Sequence, residues 1–88
     1  MNHSNNRIPI FDIHVASYLE MKGVSPQLVM RSGKIVFEFE LSDAVFELLR
    51  EYEQNTPIPI LNYVGVLRQL RSRMFYLKNQ DKTEGDRS

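Results

Sequence analysis

Apolar side chains recur along this chain with a spacing that changes from segment to segment. In RIPIF, Arg7 to Phe11, Ile8 and Ile10 alternate with Arg7 and Pro9, which predicts a short strand; the proline confines it to a sheet edge or a strand start. From Asp12 the period lengthens. Val15, Ala16 and Leu19 repeat at helical spacing with Ile13 and Tyr18 widening the stripe, Asp12 stands where an N-cap is needed, and Gly23 supplies the left-handed residue that ends many helices. Phe11 and Ala16 take the two positions of a hydrophobic staple across that cap.

Alternation then returns in QLVMRSGKIVFEF. A two-residue turn at Ser32-Gly33 pairs Met30 with Ile35, Val29 with Val36, Leu28 with Phe37 and Gln27 with Glu38. The same register puts Leu28, Met30, Ile35, Phe37 and Phe39 on one face, so turn chemistry and hydrophobic pattern agree. It leaves Val29 and Val36 on the other face, awaiting either a second layer or a partner, and sets Arg31 against Lys34 beside the turn.

Ser42 next caps a helix whose apolar stripe is Val45, Phe46, Leu48, Leu49 and Tyr52, with Asp43 in its first turn and a largely acidic outer side. Asn55-Thr56-Pro57-Ile58-Pro59 breaks it. A last helix begins near Pro59, along which Ile60, Tyr63, Leu67, Leu70, Met74 and Leu77 follow three-four spacing. That run is too short for a free-standing coiled coil and predicts the core face of a packed helix, with Gly65 marking a close helix approach.

The order strand, helix, hairpin, helix, helix predicts an α+β fold: a small three-stranded, mainly antiparallel sheet with helices packed on one face and the strand from Ile35 to Phe39 in the centre. One domain over residues 8–78 is expected, with disordered tails at 1–7 and 79–88, where almost no apolar side chain is available for burial. A unit of that size buries only about 60% of its unfolded surface, so a second subunit would add stability that the core alone supplies sparingly.

The residues Asp12, Ala16, Tyr18-Leu19 and Lys22-Gly23, together with the hairpin carrying Phe37-Glu38-Phe39, form the first part of a wider pattern. Tyr52 after a leucine-rich acidic helix and the closing LRQLRSRMF complete it. The pattern resembles a small uncharacterised bacterial domain of unknown function found in short proteins near phage and mobile-element genes. The resemblance spans about Ile8 to Phe75 and implies a compact α+β module with no recognised activity.

Composition narrows the function classes. The 88 residues contain no cysteine, which excludes disulfide scaffolds, thiolate zinc sites and cysteine nucleophiles. With neither a membrane-length apolar run nor a signal-peptide pattern, a cytoplasmic protein is expected. Eleven cations balance eleven acids, so no overall field draws the chain to nucleic acid. The cations are nonetheless clustered: Arg68, Arg71, Arg73 and Lys78 have no acidic neighbour in their segment.

No catalytic, cofactor or metal site is expected, and no small-molecule substrate. Asp12, His14 and Ser17 lie within one helix start, where side chains two apart diverge. Glycines 23, 33 and 65 are isolated rather than gathered into a phosphate loop. Two readings of function remain. In the first, the chain is an interaction module, expected to be a homodimer or to dock a protein partner, using surplus apolar surface at Val29 and Val36 or on the last helix, where Val66 lies. In the second, Arg31, Lys34, Arg68, Arg71 and Arg73 contact DNA, with Phe75 and Tyr76 available for stacking. The last-helix cations also have a structural explanation: they complement a helix C-terminus, cover apolar surface with their stems, and sit one connector away from the acidic helix.

Overall fold

The computed structural model describes residues 6–87, with side chains as far as Gln80. Six elements follow one another among the described residues: β1 (Arg7–Ile10), α1 (Ile13–Met21), β2 (Gln27–Arg31), β3 (Lys34–Glu40), α2 (Asp43–Glu53) and α3 (Ile60–Arg87). The sheet order is β1-β3-β2, antiparallel throughout, so the chain has the expected α+β architecture with β3 in the centre.

Local chemistry sets the boundaries. The Asp12 carboxylate accepts the His14 N–H at 2.8 Å and Ser42 Oγ accepts the Val45 N–H at 3.2 Å, each satisfying a donor that the helix start leaves free. At the end of α1, Gly23 has φ 102°; its N–H donates to the Glu20 carbonyl at 2.9 Å, and the Val24 N–H donates to the Leu19 carbonyl at 3.1 Å. These two bonds form a Schellman motif, and α2 ends in the same way with Asn55 in the left-handed position. Ser32 and Gly33, at φ 52° and 80°, make the type I′ turn whose twist suits a two-residue hairpin, and the register is the one that the pattern predicts, Leu28 with Phe37 and Val29 with Val36.

The core lies between the sheet's inner face and α1. Ile35, Phe37 and Phe39 from β3 meet Ala16, Tyr18 and Leu19 from α1, Val45 from α2 and Leu70 from α3, all buried. α1 packs against both other helices and so lies between α2 and α3. The result is a slab 47 × 39 × 17 Å, one sheet and one helix layer thick.

Several expectations change here. α3 does not stop near Lys78 but continues to Arg87: its apolar stripe runs out, yet residues 79–87 contain no proline, and each residue added needs only one further backbone bond. Arg7, assigned to the tail, opens β1; the expected tail residues 1–5 and 88 lie outside the described residues. Gly65 marks no close approach, because it is exposed and a side-chain carbon there would meet no atom within 4 Å. Nor does the acidic α2 face the cations of α3, since α1 stands between them. Among the described residues, no helix is long and apolar enough to cross a membrane.

Candidate functional site

α3 presents two faces. Leu70, with Tyr63, Val66, Met74 and Leu77 around it, turns to the core. On the opposite side, Leu61, Arg68 and Phe75 follow one another at seven-residue intervals, and Val64, Arg71 and Lys78 form a parallel row one step round the helix. Leu61 is 82% exposed and Phe75 68% exposed, with Ile60 and Tyr76 also well over half exposed. Large apolar side chains and cations therefore share one open face.

The five cations expected to contact nucleic acid have different surroundings. Arg31 folds back from the hairpin tip, its Nη2 2.7 Å and Nε 3.2 Å from Glu38 Oε2. Arg73 reaches across to α1, where Nη1 lies 3.3 Å from Glu20 Oε1, and Nη2 donates to the Pro26 carbonyl at 3.5 Å. Lys34, Arg68 and Arg71 are exposed and have no carboxylate partner among the described residues. Arg68, Arg71 and Arg73 stand in the middle of α3, so complementing a helix C-terminus does not account for them.

Of the three valines expected to form an association surface, Val36 and Val66 are covered and Val29 stays partly open. Val36 is 3% exposed although it faces away from the core cluster. Its cover is an ion pair rather than a second layer. Arg31 is registered with Lys34 and Glu38 with Gln27, so the Arg31–Glu38 bond runs diagonally over the Val29–Val36 pair between them. Arg7 closes the other side, hydrogen-bonding Gln27 and lying 3.9 Å from Glu38. Val29 is half-buried, and Val66 packs against the core.

A groove borders the sheet at β2, between Pro26, Gln27 and Leu28 on one side and Ser72, Arg73, Tyr76 and Leu77 of α3 on the other. It is mostly apolar in lining, and Tyr76 forms its exposed lip.

A tyrosine cluster at the opposite end of α3 has no counterpart in the sequence reading. The Tyr18 hydroxyl donates to Glu51 Oε1 at 2.7 Å, its ring meets Tyr52 edge-on at 5.7 Å, and Lys22 Nζ sits 5.6 Å from the same ring. Tyr63 donates to the His14 carbonyl at 3.3 Å. Burial first, then the hydrogen bond and the charge of Glu51, push Tyr18 up to about 12; burial likewise raises Tyr63. Each of these tyrosines fills an apolar helix position, which is all that the sequence signals; their partners are 33 and 49 residues away. The bonds tie α1 to α2 and α3 and assemble no nucleophile with a base. His14 lies 3.4 Å from Asp12 at the helix cap, while the Ser17 hydroxyl is fully buried without a hydrogen-bond partner among the described residues.

Compared with known proteins, the chain matches the family model described as Domain of unknown function (DUF5659) over residues 5–82. No curated protein and no solved structure matches it.

Proposed function

The chain belongs to the DUF5659 family of domains of unknown function, and on that footing we propose that it is a small non-catalytic interaction module that works by self-association. The observation that carries this reading is the apolar groove at β2, walled by Leu28 and Leu77 with Tyr76 exposed at its lip, and beside it the outer face of α3, where Ile60, Leu61 and Phe75 are also exposed. A domain with a core this small gains from burying such surface in a copy of itself. The cations support the same reading: Arg31 and Arg73 are already held by Glu38 and Glu20, so drawing either to a phosphate means breaking an internal pair. Sedimentation equilibrium across a concentration series tests the proposal. A dimer at micromolar concentration is expected, and a monomer throughout would refute it.

A second reading rests on Arg68 and Arg71. They are exposed without carboxylate partners among the described residues, and Phe75 follows on the same face, a cation-and-aromatic arrangement that also suits duplex backbone or unstacked bases. If they serve DNA, affinity should fall by about 0.9 log units per log unit of salt for each phosphate neutralised, and Arg68→Gln with Arg71→Gln should flatten that slope.

A further inference from the structure

Resting on the self-association reading, we infer that the second copy docks edge to edge along β2, joining the two sheets into one antiparallel sheet across a two-fold axis at Val29. The two edges of the sheet are unlike. β1 carries an exposed proline, Pro9, which has no N–H to offer a further strand. β2 has no proline: Leu28, Val29 and Met30 run uninterrupted between Gln27 and Arg31, in unbroken register with β3.

The turn shows which main-chain groups are free. In a two-residue I′ hairpin the closing pair, Arg31 with Lys34, exchanges both hydrogen bonds, and so do Val29 with Val36 and Gln27 with Glu38. The N–H and C=O groups of Leu28 and Met30 therefore point away from β3, into the open edge. Such groups form a template for another strand.

A copy of β2 fits that template. Antiparallel pairing about Val29 places Leu28 against Met30 of the second copy, so the outward groups of both strands bond one another, and the two-fold axis repeats the arrangement. Leu28 and Met30 lie on the core side, so the apolar inner face continues across the junction and closes over the groove walled by Tyr76 and Leu77. On the outer face Gln27 meets Arg31 of the second copy, and the row across the junction reads Glu38, Gln27, Arg31, Lys34, with no like charges facing each other across it. The apolar pattern of QLVMR is thus self-complementary, and its one charge, Arg31, meets the neutral Gln27 of the second copy rather than another cation.

Cysteine cross-linking tests the register, because the native chain has none. Val29 faces its own copy in a non-hydrogen-bonded pair with Cα atoms about 4.5 Å apart, inside the ~4.4–6.8 Å range of disulfides. Val29→Cys under oxidised glutathione should migrate as a dimer on a non-reducing gel, and Phe75→Cys should not. Met30→Pro removes one outward N–H while leaving the hairpin bonds intact. It should keep the parent's far-ultraviolet circular dichroism and weaken dimerisation roughly a hundredfold, since the two-fold axis removes the bond twice. A parent that sediments as a dimer while Val29→Cys stays uncross-linked and Met30→Pro associates normally would overturn the β2 junction and leave self-association standing. A monomeric parent would overturn both.

Discussion

Tyr18 joins burial, hydrogen bonding and charge in one side chain: it is 2% exposed, donates to Glu51, and titrates at about 12 against an ordinary value near 10. Because its folded value is raised, the stabilisation is complete below about pH 10 and is lost as pH climbs through 12, the unfolded chain releasing its proton first. Melting temperatures measured across that window should fall, and Tyr18→Phe should be less stable at pH 7, by about 1 to 3 kcal/mol for stranding Glu51, with a flatter alkaline decline. An equally steep decline in Tyr18→Phe would mean that other groups cause it. Gly65 makes the opposite case. Open space around it and its place inside α3 predict that Gly65→Ala stabilises by about 0.5 to 1 kcal/mol, read from chemical denaturation. At this scale the caps Asp12, Ser42 and Gly23 are legible in the sequence because a cap acts within a few residues of its position. The Arg31–Glu38 and Arg73–Glu20 pairs are not, because each needs a fold to bring its partners together.

Among the elements, the β2–β3 hairpin was readable down to its pairing, since turn type and alternation constrain the same register from two directions. α3 was readable on its core side from Tyr63 to Leu77, where Leu70 is fully buried, except that Ile60 is exposed and Val66 takes a place in the core contacts; its end was not readable, because apolar spacing reports what a helix packs against and not how far it continues. Nor does the sequence say that α1 separates α2 from α3, and with it went the idea that acid on one helix answers base on the other. The inward faces have a direct test. Phe37, on the central strand, and Leu70, where α3 meets the core, should each cost about 2 to 5 kcal/mol on truncation to alanine. Thermal melts within a degree or two of the parent would mean that these side chains are not core.

For the whole molecule, the slab leaves its sheet with one guarded and one open edge, and its longest helix with one face in the core and one in water. The fold class was predictable from element order; the open surface was only partly so, since Val36 lies under an ion pair and Val66 against the core, while Leu61, well exposed on the outer face of α3, sat unremarked beside a core stripe. On the self-association proposal, these surfaces serve a second copy rather than a phosphate backbone. Sedimentation equilibrium of the unmodified chain, repeated with a short DNA duplex at physiological salt, separates the two. The account predicts a concentration-dependent dimer whose mass is unchanged by the duplex; a strict monomer that binds the duplex tightly would contradict it.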